Sequence, residues 1–161
     1  LGKTILTEPH SILTDTARMP GLDGEKMSNS GNNIIRLRED PAEVERKIRT
    51  MQTDPARIRL SDPGEPERCP VWELHLLYSD DDAQQQVQNK CRNAGWGCVE
   101  CKQPVAEAII AEQAPIHERA AQYEENPELL QRILSEGTEQ ARDEVRATLR
   151  EVREAMGLTG I

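Results

Sequence analysis

Two sets of residues in this chain have types and spacing suited to chemistry. The first is the polar strip Gly21-Leu22-Asp23-Gly24-Glu25-Lys26-Met27-Ser28-Asn29-Ser30-Gly31-Asn32-Asn33. It gathers the ammonium of Lys26, the hydroxyls of Ser28 and Ser30 and a glycine-bearing backbone into one short loop. Backbone N–H groups and hydroxyls donate hydrogen bonds to phosphate oxygens, and an ammonium adds charge. A solvated turn of the same composition is the competing reading.

The second set is the four cysteines Cys69, Cys91, Cys98 and Cys101, spaced C-x21-C-x6-C-x2-C. Four sulfurs match a metal site with four cysteine ligands. A zinc ribbon more often carries two C-x2-C knuckles, and only Cys98 and Cys101 form one. One remote cysteine with three clustered ones is nearer to iron–sulfur ligation, with zinc as the alternative. Two disulfides or four reduced buried thiols remain as rivals. His75 follows Cys69 after five residues and is expected on a helix surface rather than as a stray ligand. Trp72 and Trp96 flank the cysteines. In a chain with two Trp, two Tyr and no Phe they are expected to pack around the site, not to stack a base.

What must position these residues is mostly helix. The chain has 161 residues, 36% hydrophobic and 30% charged, enough for one modest aliphatic core. Abundant Glu, Gln, Arg and Ala favour helix over sheet. Residues 1–33 show turn chemistry, with a short strand or turn at Leu6 and Ser11–Thr14. Asp40-Pro41-Ala42-Glu43 reads as a capping box opening a helix, with Val44, Ile48 and Met51 on one face and Asp54-Pro55 as its stop. Residues 55–70 read as a connecting loop. Val71–Tyr78 and Ser79–Lys90 read as short helices, and Asn93–Gly97 as a loop. A helix then carries Val105, Ile109, Ile116, Ala120 and Tyr123, with a kink at Pro115. Another starts at Asn126-Pro127 and carries Leu129, Leu130, Ile133 and Leu134. After a turn at Gly137-Thr138, a last helix carries Ala141, Val145, Leu149, Val152 and Met156 and ends at Gly157. These last three helices are expected to form an antiparallel bundle.

A net charge of −9 excludes nucleic-acid binding through the whole surface, so RNA contact would need a local basic patch. The better patch is Arg36, Arg38, Arg46, Lys47, Arg49, Arg57 and Arg59. The stripe Arg142, Arg146, Arg150 and Arg153 is read as a salt-bridged, solvated face, because Glu139, Asp143 and Glu154 lie within a turn. No apolar run is long enough to span a bilayer, and no signal-peptide pattern opens the chain.

Lys-Met-Ser-Asn-Ser at residues 26–30 resembles the Lys-Met-Ser-Lys-Ser signature of class I aminoacyl-tRNA synthetases. With Pro20-Gly21-Leu22-Asp23-Gly24 before it and Asn32-Asn33 after it, the segment is similar to the version found in bacterial tryptophanyl-tRNA synthetases. The likeness runs on through Asp40-Pro41-Ala42-Glu43-Val44, the Asp54-Pro55 and Asp62-Pro63-Gly64 turns, and Glu151–Leu158. It implies a mainly α chain: a helical-bundle tRNA-binding domain preceded by the signature loop from the end of a Rossmann-type catalytic domain. Residues 1–33 would be the tail of that catalytic domain, 34–70 a connecting segment with one helix, and 71–161 the helical anticodon-binding domain with the four-cysteine site.

The implied activity is ATP-dependent ligation of tryptophan to tRNA(Trp), with magnesium accompanying the ATP. Lys26 would be catalytic. Lys26, Met27, Ser28, Asn29 and Ser30 would bind ATP, Met27 by packing the loop. A subset of these bacterial enzymes carries a 4Fe–4S cluster on a similar cysteine spacing near the anticodon-binding surface. The resemblance therefore implies Cys69, Cys91, Cys98 and Cys101 as ligands. It also implies a cytoplasmic homodimer with no membrane or DNA partner, in which disulfides are disfavoured. Two features depart from the family pattern. Asn29 stands where the second lysine usually is, and Asn donates hydrogen bonds but brings no charge. No His-x-Gly-His signature occurs; His10, His75 and His117 sit in other contexts. The nucleotide-binding sheet is thus expected N-terminal to Leu1, and the fragment alone is expected to be inactive. The alternative is a non-catalytic four-cysteine metal-binding module that binds RNA or protein.

Overall fold

The computed structural model describes residues 5–13 and 18–158. Thr14, part of the expected early strand, lies outside them. Five helices follow one another: α1 (Pro41–Thr50), α2 (Pro70–Tyr78), α3 (Asp81–Arg92), α4 (Cys98–Glu124) and α5 (Pro127–Ala155), with a 3₁₀ turn at Pro66–Arg68. The mainly α expectation is met. Among the described residues the only strand-like pairing is one antiparallel bridge between Pro20 and Lys26, and Leu6 to Leu13 form no strand. The chain divides into two compact units, Leu13–Glu118 and the pair of segments Leu1–Ile12 with Arg119–Ile161.

Unit Leu13–Glu118 holds the core. Val44, Ile48 and Met51 from α1 meet Val71 and Leu74 from α2 and Val105, Ala106 and Ile109 from α4. The spacing of four and three at 44, 48 and 51 puts those residues on one face, and all are buried. Asp40 caps α1, its carboxylate accepting from Ala42 N at 2.9 Å. The other half of the expected capping box does not form: Glu43 forks onto Arg46 at 3.0 and 2.8 Å, a pairing one turn along the same helix. Asp80 caps α3 through Ala83 N at 2.8 Å. Lys102 of α4 is buried, and its ammonium donates to the carbonyls of Arg49 and Met51 at 2.9 and 2.5 Å. A cation there offsets the negative end of the α1 dipole. Segment 34–39 is stitched down by Lys47, which bonds Ile34 O and Glu39, and by Gln113 and His117, which bond the carbonyls of Arg36 and Glu39.

In the other unit, Asn126 caps α5 through Leu129 N at 3.0 Å, with Pro127 at the first position as expected. The turn expected at Gly137-Thr138 is absent. α5 runs unbroken through both residues, so the last two of the three expected bundle helices are one. Thr138 satisfies its hydroxyl on Leu134 O, 2.6 Å away, without leaving the helix. α4 likewise runs unbroken through Pro104 and Pro115. A Cβ at Gly137 would meet nothing within 4 Å. Gly137→Ala is therefore expected to raise helix stability by about 1 kcal/mol, read as a higher thermal midpoint by circular dichroism. An unchanged or lower midpoint would show that α5 is not continuous there.

Candidate phosphate loop and cysteine site

The first candidate site is the segment 19–33, a small hydrogen-bonded knot. Met27 N donates to Met19 O at 2.9 Å beside the Pro20–Lys26 bridge. Gly21 N reaches Glu25 O at 2.6 Å and Gly24 N reaches Gly21 O at 3.0 Å. Gly24 has φ +81 and lies against Pro70, a backbone state that glycine adopts at little cost. Gln52 N donates to Leu22 O at 3.0 Å, which ties the knot to the end of α1.

At the centre of the knot is Asn33, 4% exposed. Its Oδ1 accepts from Ser28 N at 3.0 Å, and its Nδ2 donates to Asp23 Oδ1 at 2.8 Å and Lys26 O at 3.1 Å. The amide of Asn33, partly opposed by desolvation, holds the Asp23 carboxyl below the usual carboxylate range. Lys26, Asn29 and Ser30 are exposed, and Ser28 is half-buried. Within the described residues the Lys26 ammonium makes no ion pair. Met27 lines a largely apolar cavity of about 240 Å³ with Met19, Ile35, Leu74 and Ile109. The knot thus faces solvent with an ammonium, hydroxyls and backbone donors while Met27 anchors it below. That is a surface able to receive phosphate.

The second candidate site lies in the same unit. Cys69 precedes α2, Cys91 ends α3, and Cys98 and Cys101 open α4. All four are free and half-buried, and all line one small void of about 20 Å³ with Asp54, Arg57, Trp96 and Lys102. The three clustered cysteines and the remote one therefore converge. Among the described residues, however, no three His, Cys, Asp or Glu side chains are arranged as a metal-binding group.

Burial pushes the Cys69 and Cys91 thiols up. It pushes Cys101 up to about 12, reinforced by the neighbouring cysteines. Thiol sulfur is a soft donor suited to thiophilic metals. The donor type suits such a metal, while the side chains as placed are not grouped around one.

Several residues that sequence reasoning did not assign to this site support it. Arg57 appeared only as part of a basic patch. It points at the cysteines, with Nη1 3.9 Å from Cys98 Sγ and Nη2 donating to Trp96 O at 2.6 Å and Leu60 O at 3.1 Å. The rest of that patch is partly neutralised, Arg46 by Glu43 and Lys47 by Glu39. Gly64 N donates to Cys91 O at 3.0 Å, and a Cβ at Gly64 would stand 2.6 Å from Cys91 Sγ.

His75 is not a helix-surface residue. It is 1% exposed, with Nδ1 2.8 Å from Ser79 Oγ and Nε2 3.0 Å from Cys101 O. A carbonyl only accepts, so Nε2 carries the proton and Nδ1 accepts from the serine hydroxyl. Helical spacing alone did not expose this, because its partner is 26 residues away. Trp96 lines the void, as expected, whereas Trp72 packs beside His75 with ring centroids 6.3 Å apart. On α5, Arg142 pairs with Glu139 and Arg146 with Asp143, in line with a solvated, salt-bridged face.

Asp54 holds the loop that carries Arg57 and Gly64. It is 3% exposed and accepts from Ala56 N, Glu65 N and Arg68 at 3.0, 2.9 and 3.2 Å. Burial pushes its carboxyl up, but the Glu65 and Ala56 N–H groups and Arg68 outweigh this, and it lies below the usual range. A carboxyl with a depressed folded pKa stabilises fully above its unfolded value. Its contribution is lost as pH falls through about 4 and below. Asp54→Ala is expected to cost about 3 kcal/mol at neutral pH. The wild type should lose more stability than this variant between about pH 5 and pH 3, measured by urea denaturation. Parallel pH curves would overturn the assignment.

The family described as tRNA synthetases class I (W and Y) has a model that matches residues 1–112. The chain belongs to this family. It is 57% identical over 157 residues to the tryptophan–tRNA ligase of Ralstonia nicotianae, covering 98% of this chain and 39% of that protein. It is 41% identical over 155 residues to the tryptophan–tRNA ligase of Thermotoga maritima, covering 96% of this chain and 47% of that one. Among solved structures it is similar to the tryptophanyl-tRNA synthetase of Campylobacter jejuni complexed with ADP and tryptophan. There the TM-score is 0.74 at 27% identity, covering 96% of this chain and 48% of that one. The chain thus spans less than half the length of these relatives. No helix among the described residues is long and apolar enough to cross a membrane.

Proposed function

We propose that this chain is the C-terminal portion of a bacterial tryptophan–tRNA ligase, which uses ATP to join tryptophan to tRNA(Trp). The observation that carries this is the 57% identity to a tryptophan–tRNA ligase over nearly the whole chain. The knot at 19–33 supports it by presenting Lys26 to solvent. Residues 1–33 would close the catalytic domain, with 34–70 connecting it to an anticodon-binding region at 71–161. The working protein is a cytoplasmic homodimer.

In this reading Lys26 and the donors of Ser28, Asn29 and Ser30 meet the ATP phosphates as the tryptophan carboxylate attacks the α-phosphate and pyrophosphate departs. A magnesium ion accompanies the ATP. Charge developing on pyrophosphate is stabilised most by donors that are already in place. Asn29 brings a neutral donor where relatives of this motif carry a second ammonium, so Lys26 supplies the signature's charge alone.

Cys69, Cys91, Cys98 and Cys101 would hold one metal centre, a 4Fe–4S cluster in preference to zinc. The cysteine spacing and the soft thiol donors support this assignment. The group would supply a covalent clamp joining the ends of α3 and α4, and the loop 93–97 between them would be fixed by it.

The test is amino-acid-dependent ATP–pyrophosphate exchange with the full-length protein. Exchange that requires tryptophan supports the proposal. Exchange driven by tyrosine, or by no amino acid, overturns it. The isolated 161-residue chain should exchange at background, and robust exchange by it would show that the chain is not merely a portion of the enzyme.

A further inference from the structure

The Asn33 side chain makes three hydrogen bonds inside the knot. Both Nδ2 hydrogens are used, one on Asp23 Oδ1 at 2.8 Å and one on Lys26 O at 3.1 Å, while Oδ1 takes Ser28 N at 3.0 Å. These bonds grip the chain on both sides of Met27. The backbone of Asn33 adds a further tie, accepting from Leu22 N at 3.0 Å. Gly21 leaves the room: a Cβ there would stand 2.3 Å from Asn33 Nδ2. Few other side chains satisfy this site. Aspartate would set a carboxylate against Asp23 and the Lys26 carbonyl, and alanine would leave a half-buried N–H and a carbonyl unpaired.

We infer that Asn33 is a positioning residue for the phosphate loop, fixing the backbone from which Lys26 and Ser28 act. This rests on the loop's proposed role in tryptophan activation. Asn33 itself touches no substrate in this scheme. It removes conformational freedom that would otherwise have to be lost each time the loop closes on ATP, and a loop held near its working geometry accelerates the chemical step more than it strengthens binding.

The experiment is ATP–pyrophosphate exchange in the full-length enzyme, with rates normalised to active sites titrated by adenylate formation. Asn33→Ala should lower kcat about ten- to a hundredfold, with KM for tryptophan within about twofold of wild type. Asn33→Asp should be slower still, and Asp23→Asn in that background should recover part of the loss by restoring a donor opposite the new carboxylate. Gly21→Ala should behave like Asn33→Ala, and the double variant should be little worse than either, because both act through the same amide. Trypsin should cut after Lys26 faster in Asn33→Ala than in wild type.

A kcat for Asn33→Ala within about twofold of wild type, with Lys26→Ala strongly impaired, overturns the inference and spares the loop's role. Wild-type rates in both overturn the loop's role as well. A fully additive Gly21/Asn33 pair, or a rise in KM for tryptophan matching the fall in kcat, marks a general structural defect and also overturns it.

Discussion

Replacing Lys26 by alanine in the full-length enzyme is expected to lower the rate of tryptophan activation about a hundredfold, comparable to losing one transition-state donor. The expectation rests on charge. Of the five residues at 26–30, only Lys26 is cationic, and its side chain is exposed rather than engaged within the knot. Asn29 is neutral and cannot compensate electrostatically. Tryptophan affinity should change much less, since no contact to the amino acid is assigned to the loop. Restoring charge at the neighbouring position, with Asn29→Lys in the Lys26→Ala background, should recover part of the rate. Pyrophosphate exchange at saturating tryptophan measures all of this. An unchanged rate in Lys26→Ala would remove the loop from the chemistry, whatever its resemblance.

The helices were legible in the sequence because their signals are local. Asp40-Pro41 and Asn126-Pro127 each mark a helix start within two residues, and both Asp40 and Asn126 cap their helices. The apolar spacing at Val44, Ile48 and Met51 likewise gave the core face. Gly137 misled for the converse reason. A glycine is a weak breaker, costing about 1 kcal/mol in a helix, too little to end α5 when good helix formers flank it. The charge at Lys26 and the four thiols were equally visible, being matters of residue type. What supports them was not. Asn33 reaches Asp23, ten residues back; Arg57 reaches Trp96, 39 residues on; His75 reaches Cys101. Each is a polar side chain that reads as surface until the fold supplies its partner, and no periodicity encodes a hydrogen bond across such distances.

The cysteine site carries the other large effect. In full-length protein prepared without oxygen, iron and sulfide are expected to co-purify in near-equal amounts, with a brown colour that bleaches in air. Cys98→Ser is expected to release most of the metal. Four thiolates around one centre act as a unit, and a serine hydroxyl is a harder and far less acidic donor. Cys98 is the informative choice because of where it sits. It opens α4, immediately after the loop whose Trp96 carbonyl is held by Arg57. Losing the centre should therefore leave this loop to Arg57 and to its local bonds, Gly95 N on Lys90 O and Gly97 N on Glu100, and hydrogen exchange should speed up across residues 93–97 more than in the core around Val44 and Ile48. Stoichiometric zinc would replace the cluster but keep the four ligands. Rapid alkylation of all four thiols in folded, metal-free protein prepared anaerobically would reduce the convergence of these sulfurs to ordinary packing.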